Sequence, residues 1–411
     1  MRVLYFHQYF STPDGAGGIR SYQMARRLID RGHRVTMVSG QHKGCTTGLE
    51  GPFHHGIRRG MVDGIDVIEV DLPYSNSLSL VSRSWTFLRF VLRTIALVFR
   101  EDYDVLFATT TPLTVGVAGI VGRWLRRKPF VFEVRDLWPE LPRAMGIIRN
   151  PVLLGALSAL EWASYRSATR LIGLSPGIVD GIARRGVPRD RISMVSNGCD
   201  LDIFGEGAAP WRPEGAADGD LLAIFPGAHG VANGLDAVLD AAVELKRRGR
   251  DDIKLLLIGD GKLKPALRRR AEEQGLTNVL FEEPMVKMRL AGLMAASDIG
   301  MQILANVSAF YYGTSPNKFF DYIAAGRPVL CNYPGWVADL IQRNDCGFAV
   351  PPENPAGFAD ALEAAAEDRA RLRTMGGNAR RLAQEFDRTR LADQWADWVT
   401  EGRNLEGQTG R

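Results

Sequence analysis

The feature that most limits what this chain can fold into is a rhythm. Short apolar runs alternate with stretches of helical period, and the rhythm breaks only once. The first series of runs is "RVLYF", "HRVTMVSG", "DVIEVDL", "YDVLFATT", "PFVFEVRD", "TRLIGLS" and "ISMVSNG", separated by stretches such as "GGIRSYQMARRLIDRG", "ALSALEWASYRSA" and "GIVDGIARRG". Repeated strand and helix predicts a parallel sheet with helices on both faces. The break is "GEGAAPWRPEGAADGD", rich in Gly, Ala and Pro, after which "LLAIFPG", "IKLLLIGDG", "NVLFEEP", "DIGMQIL" and "PVLCNY" resume the pattern. A chain of 411 residues exceeds one ordinary core. The reading is α/β, two Rossmann-like doubly wound domains facing a cleft, over 1–204 and 220–386 with a linker at 205–219. The stretch "FDRTRLADQWADWVTEG" predicts a last amphipathic helix over 387–403, with Leu391, Trp395 and Trp398 at i, i+4, i+7 spacing. The end, "NLEGQTGR", reads as disordered.

Other classes fall away on simple grounds. The cysteines Cys45, Cys199, Cys331 and Cys346 lie far apart without C-x-x-C spacing, so neither zinc nor a disulfide framework is suggested and a reduced, cytoplasmic setting fits. "VLYFHQYF" at the start is too short and too soon followed by turn residues for a signal peptide. The longest uncharged stretch, residues 105–122, contains "TTTP" and three glycines. It reads as a buried strand, a turn and a helix rather than a membrane span. Residues 1–204 carry 26 Lys and Arg against 18 Asp and Glu, too modest a surplus for a nucleic-acid protein. Within that half, "SLSLVSRSWTFLRFVLRTIALVFR" has four arginines and no acid. Arg89, Arg93 and Arg100 fall within about 40° of one another on a helix. Two readings stand: a core helix with a solvated arginine stripe, or a helix resting on an anionic membrane surface with Trp85 at headgroup level.

Functional residues are expected in the loops after the strands. The first loop, "STPDGAGGIRSYQ", sets Gly17 and Gly18 before a helix, where a bare backbone can approach a ligand. Its G-x-G-G spacing is not the dinucleotide G-x-G-x-x-G. "RDLWPELP" offers Arg135 and Asp136, which could also pair with each other or cap a helix. "PGAHGVANGLDAVL" offers His229, Asn233 and Gly234, with Asn233 placed as a helix N-cap. In "TSPNKFFDYIAAGRPVL" a turn leads into a helix with Lys318 at its start and Asp321 one turn on. That pair can be a solvated i, i+3 ion pair worth tenths of a kcal/mol. The turn would instead leave backbone N–H groups aimed at the helix start, which suits phosphate.

Taken together, "GAGG", "FEVRDLWPE", "SNGCDLDIF", "FPGAHGVANGLDAVLDA", "LLLIGDG" and "SPNKFFDYIAAGRPVL" resemble retaining GT-B glycosyltransferases of the family 4 type, in the subgroup of bacterial surface-polysaccharide assembly. The resemblance runs over nearly the whole chain. It implies a hexosyltransferase whose nucleotide-sugar donor, UDP-linked and N-acetylated or deoxy, sits mainly on the second domain. The acceptor, a polyprenyl-diphosphate-linked sugar or glycan, sits mainly on the first. By similarity Asp321 grips the ribose hydroxyls, while Ser315, Asn317 and Lys318 lie against the diphosphate and Gly17 and Gly18 approach donor phosphate and sugar. His229, Asn233 and Gly234 line the donor side. Arg135, Asp136 and Lys318 are the catalytic candidates, with the departing phosphate taking the acceptor proton. The last helix crosses back to the first domain. No cofactor is implied, and metal independence is expected.

This chain departs from the family pattern in four places. Gly313 stands where many relatives carry Glu, Arg135 where a histidine is common, and Gly227-Ala228 with Asn233-Gly234 where Gly-Arg and Lys-Gly are usual. Lys318 and His229 are left to share the diphosphate charge. The rival readings are a GT-B nucleotide-sugar epimerase, which would need ring-flanking acids and bases, and a nonenzymatic nucleotide-sugar binding protein.

Overall fold

The computed structural model describes residues 1–401 except 16, 43, 75–79 and 206. The start of the arginine-rich stretch and the tail "NLEGQTGR" lie outside the described residues. The chain forms two compact units. The first comprises Met1–Ser196, Tyr312–Ser315 and the chain from Thr389, and the second comprises Asn197–Tyr311 and Pro316–Arg388.

In the first unit, eight strands are β1 (Arg2–Phe6), β2 (Arg34–His42), β3 (Ile57–Val62), β4 (Ile65–Tyr74), β5 (Val105–Thr109), β6 (Phe130–Val134), β7 (Arg170–Gly173) and β8 (Ile192–Met194). Their order is β3-β4-β2-β1-β5-β6-β7-β8. All neighbours are parallel except β3, which pairs antiparallel with β4. This edge strand went unread because "IRRGMV" has no fully buried residue and therefore no apolar signature. The central strands are buried on both faces, which is why they read as continuous apolar runs.

Helix Arg388–Glu401 belongs to this unit from Thr389 onward. Its Trp395 is wholly buried, with its ring 4.8 Å from Phe107 and 5.9 Å from Tyr5. Trp398 donates to the carbonyl of Leu171 at 3.0 Å, and Asp393 accepts from Arg27 at 2.7 Å. Residues 105–122 form β5, a 3-10 turn at Leu113–Val115 and part of the helix Gly116–Leu125. Among the described residues no helix is long and apolar enough to cross a membrane.

The second unit is a six-stranded parallel sheet of β9 (Leu221–Pro226), β10 (Ile253–Ile258), β11 (Val279–Glu282), β12 (Ile299–Gln302), β13 (Val329–Cys331) and β14 (Gly347–Ala349). The order is β11-β10-β9-β12-β13-β14. Strand residues Leu221, Ala223, Phe225, Leu255 and Leu257 pack with Val238, Leu239 and Ala242 of helix Asp236–Arg247 in one core.

The division falls at Ser196/Asn197, ahead of the Gly/Ala/Pro-rich stretch, so "NGCDLDIF" groups with the second unit rather than closing the first. The reason is local. Cys199 N–H donates to Phe386 O at 2.8 Å, Arg388 N–H donates to Cys199 O at 3.1 Å, and the Arg388 side chain clasps Asp200.

Candidate active site

In the second unit the helix Asn317–Ala324 presents its amino end without a side-chain cap. Pro316 is the N-cap and no acid stands in the first turn. The positive end of the helix therefore faces outward unneutralised by its own sequence. Its apolar side fixes it in place. Phe319, Phe320 and Ile323 are buried, and the Tyr322 hydroxyl donates to Met301 O at 3.0 Å beside Gly300 of β12.

Lys318 at this end is half-buried, its ammonium 4.8 Å above the Phe225 ring of β9. It lies so close to Gly227 that a Cβ there would sit 3.0 Å from Nζ. Burial lowers its pKa to about 8, partly offset by Asp321. Asp321, one turn on, is buried, and its Oδ1 has no hydrogen-bond partner. Burial raises its pKa to about 6, with Lys287 opposing the shift, Asp200 reinforcing it, and Arg388 and Lys318 opposing it further. A buried carboxylate with an unused lone pair is a group arranged for something that is not protein.

A charge cluster neighbours Asp321. Asp200 accepts from Lys287 Nζ at 2.6 Å and is clasped by Arg388, which also donates to Gly198 O at 2.6 Å. Burial works against the Asp200 charge, but Arg388 and Lys287 outweigh it and hold the carboxyl below its ordinary value. Neither Lys287 nor Arg388 stood out in the sequence, since nothing local distinguishes them from solvated cations.

The loop after β9 behaves differently from its sequence-based assignment. Asn233 is not a helix N-cap. It ends the 3-10 turn Val231–Asn233 and its Nδ2 donates back to Ala228 O at 2.6 Å, while helix Asp236–Arg247 has Leu235 at its N-cap. Gly234 follows at φ +55°, where a Cβ would lie 2.6 Å from Ala305 Cα, so its glycine is demanded by packing and backbone together. His229 is fully buried with neither ring nitrogen partnered, and burial followed by Lys264 lowers its pKa to about 4. At about 4 the imidazole is neutral at pH 7, so it carries no positive charge toward the share expected of it. Ser315 is grouped with the first unit, in the segment where Ser175 Oγ donates to Tyr312 O at 3.1 Å.

A second constellation gathers in the first unit where β1, β5 and β6 end. Arg135 Nη1 lies 3.1 Å from His7 Nε2, and its N–H donates to Thr110 Oγ1 at 2.8 Å. Burial and then Arg135 keep the pKa of His7 well below its usual range, so a neutral imidazole accepts from the guanidinium. Asp136 accepts from Thr111 Oγ1 at 3.0 Å and is raised by burial against that bond. Arg135 and Asp136 do not cap the next helix, whose N-cap is Pro139, and Arg135 adds to the Thr111 bond in opposing the rise of the Asp136 pKa. Gln8 beside His7 is buried with both amide atoms unpartnered. His7 and Gln8 escaped the sequence reading, although a polar pair directly after an apolar strand was a signal available to it.

The Gly-rich loop stands close by in sequence to β1. Gly18 is exposed, and a Cβ on Gly17 would lie 2.7 Å from Cys45 Sγ, so Gly17 is also a packing requirement. Helix Arg20–Asp30 follows with no side-chain cap and no acid in its first turn.

Comparison with known proteins completes the assignment. Residues 15–198 match a glycosyl transferase 4-like domain and residues 221–368 match glycosyl transferases group 1. The chain belongs to the family 4 glycosyltransferases, with the GT-B fold. This glycosyltransferase is 32% identical over 219 residues to a D-inositol 3-phosphate glycosyltransferase of Nocardia farcinica, a match spanning 51% of the chain and 47% of that relative. A second enzyme of that name, from Catenulispora acidiphila, is 26% identical over 93% of the chain and 89% of its own length. The O-antigen chain mannosyltransferase C of Escherichia coli is 21% identical over 62% and 66%. Among solved structures, Anabaena Alr3699/HepE in complex with UDP and glucose superposes with a TM-score of 0.67 at 18% identity, covering 98% of this chain and all 100% of HepE.

Proposed function

We propose that this glycosyltransferase moves a sugar, with retention, from a UDP-type donor on its second unit to a lipid-linked or glycan acceptor on its first, in surface-polysaccharide assembly. The observation that carries the donor assignment is the buried Asp321 with its unpartnered Oδ1, one turn beyond Lys318 on an uncapped helix. An ionised carboxylate accepts from two vicinal ribose hydroxyls, and an ammonium with helix-end N–H groups meets the diphosphate. The UDP complex of HepE and the O-antigen relative support the donor class and the pathway class.

In this mechanism Lys318 and the helix end stabilise the charge that develops on the leaving diphosphate, without a divalent metal. The departing phosphate accepts the acceptor proton, so no protein base is needed. Arg135, set by His7, and Asp136, set by Thr111, orient the acceptor hydroxyl and the sugar. The test is a thermal-shift panel of nucleotides and nucleotide sugars with and without EDTA. Selective stabilisation by a uridine nucleotide, unaffected by EDTA, is expected. A response to no nucleotide, or one that needs a divalent ion, would contradict the reading.

A lipid-linked acceptor requires access to a membrane, and the first unit has a surface suited to it. Helix Leu80–Arg100 exposes Trp85 at 60% and Leu92 at 61% on the side that also carries Arg89 and Arg93. Helix Gly116–Leu125, packed beside it, exposes Trp124 and Leu125, with Arg126, Arg127 and Lys128 following. Apolar rings interleaved with cations match an anionic headgroup layer, which makes the interfacial reading of this helix the preferred one. In liposome flotation, Arg89→Glu/Arg93→Glu should weaken binding to phosphatidylglycerol vesicles at least about tenfold. Equal flotation of variant and wild type would leave the arginines as a solvated stripe.

A further inference from the structure

The spacing of Lys318 and Asp321 on one helix suggests that each answers the other's charge, but the fold brings Asp321 other cations. Lys287 is out of place by local rules. It is the first residue of helix Lys287–Ala296, whose N-cap Val286 offers no side-chain bond and whose first turn holds no acid. A cation there meets the positive end of the helix. What holds it is Asp200, 2.6 Å from its Nζ, with the Phe204 ring 5.6 Å away. Helix Lys287–Ala296 packs on helix Leu201–Phe204, which in turn packs on helix Asn317–Ala324. Arg388 reaches the same place by another route, since the Phe386 ring lies 5.2 Å from that of Phe320, the neighbour of Asp321. Arg388 gives Nε and Nη2 to Asp200 and Nη2 also to Gly198 O, while its buried Nη1 has no partner.

The charges do not balance without Asp321. Asp200 is a single carboxylate, 5% exposed, beneath two cations that are 24% and 8% exposed. The group carries one positive charge in excess until Asp321 is counted. Against the rise that burial imposes on Asp321, Lys287 acts most strongly, ahead of Arg388 and then Lys318, with Asp200 acting the other way. The remaining neighbours bring no charge. The Cys199 thiol and Tyr322 hydroxyl are raised by burial and then by Asp321 itself, so both are neutral at pH 7. Strands β12 and β13 supply no charged residue, and the Cys331 thiol is raised by burial. Helix Arg369–Glu385, also packed on helix Asn317–Ala324, buries Met375, Ala379 and Leu382, and its Arg380 lies at Gly326, past the far end.

We propose that Lys287 and Arg388, both anchored on Asp200, are positioning residues for the donor: they supply the counter-charge of Asp321 and leave Lys318 to the diphosphate. The inference rests on the ribose role given to Asp321 above. Were Lys318 its main partner, a phosphate at the helix start would compete with a carboxylate for the same ammonium. With the counter-charge on Asp200's side, both groups can meet ligand at once.

A double-mutant cycle on the full, unliganded chain reads the pairing. At pH 7 the melting-temperature advantage of Asp321→Asn should widen in a Lys287→Met background, where the carboxylate has lost a cation, and narrow in an Asp200→Asn background, where it has lost a rival. Both changes break one ion pair, so opposite signs identify charge. A purely structural role would lower both members of each comparison together and leave the gap as it was. The second arm is UDP-glucose, whose diphosphate does not titrate near neutral pH, bound by calorimetry. Lys287→Met should raise the pH at which affinity develops, about 6 in the wild type, by about half a unit or more, weakening binding at pH 5.5 roughly two- to threefold, and Asp200→Asn should lower it. A gap that neither background changes would overturn the inference. Gaps that move as expected beside UDP-glucose binding indifferent to Lys287 would uphold the counter-charge and count against the ribose role of Asp321 instead.

Discussion

Asp321→Asn should lower kcat/KM for the donor by about 10²-fold or more while making the protein harder to unfold. The loss follows from two hydroxyl bonds to a charged acceptor, each worth about 1.5–3 kcal/mol. The gain follows from burial. A carboxyl raised from 3.8 to about 6 is ionised at pH 7 against the preference of its surroundings, at a cost on the order of 3 kcal/mol. The sign is fixed by the direction of the shift. Because the folded pKa lies above the unfolded one, stability is undiminished below pH 3.8 and declines as pH rises through about 6. The melting-temperature advantage of the variant should therefore open across that window and be small below it. Donor affinity of the wild type should move the other way, strengthening as Asp321 ionises near pH 6 and weakening above about 8, where Lys318 loses its proton. A variant that binds donor as tightly as wild type would remove Asp321 from the site.

Glu133→Ala should destabilise the first unit by about 3–5 kcal/mol, the usual consequence of leaving a buried charge alone. Glu133 is fully buried and meets Arg20, itself 1% exposed, at 2.8 Å. Thr109 Oγ1 donates to the same carboxylate at 2.8 Å, and Arg20 continues to Val195 O at 2.9 Å and Ser196 O. One ion pair thereby joins β5, β6, the segment after β8 and the start of the helix that follows the Gly-rich loop. Burial opposes the Glu133 charge, but Arg20 outweighs it and the pKa ends below its ordinary value. This contribution is present above the unfolded carboxyl range and is lost as pH falls through the depressed folded value. Urea unfolding followed in the first unit reads the effect, and Arg20→Met/Glu133→Leu should recover part of it, because an apolar pair leaves no orphaned charge. A shift below about 1 kcal/mol in Glu133→Ala would show that the network does not organise this unit.

The Glu133 result also shows where motif reading stops. "FEVRDLWPE" was legible as one functional segment, yet its residues divide. Glu133 faces Arg20 within the sheet, whereas Arg135 and Asp136, just past the strand end, are turned to His7 and Thr111. The strand ends at Val134, so its period of two does not extend to Arg135 and Asp136, and only the elements packed around them decide which partners these side chains meet.

What the sequence determined by itself was the architecture and the position of the uncapped helix end at Asn317. Both depend on local periodicity, turn residues and strand-to-helix order, which are written in consecutive residues. The tertiary structure alone decided the electrostatics. Asp321 is raised because burial leaves its Oδ1 without a partner, His229 is neutral because it is enclosed, and Lys287 and Arg388 gain meaning only where the fold carries them to Asp200. Charge and solvation are set by neighbours distant in the chain, and no window of sequence contains them.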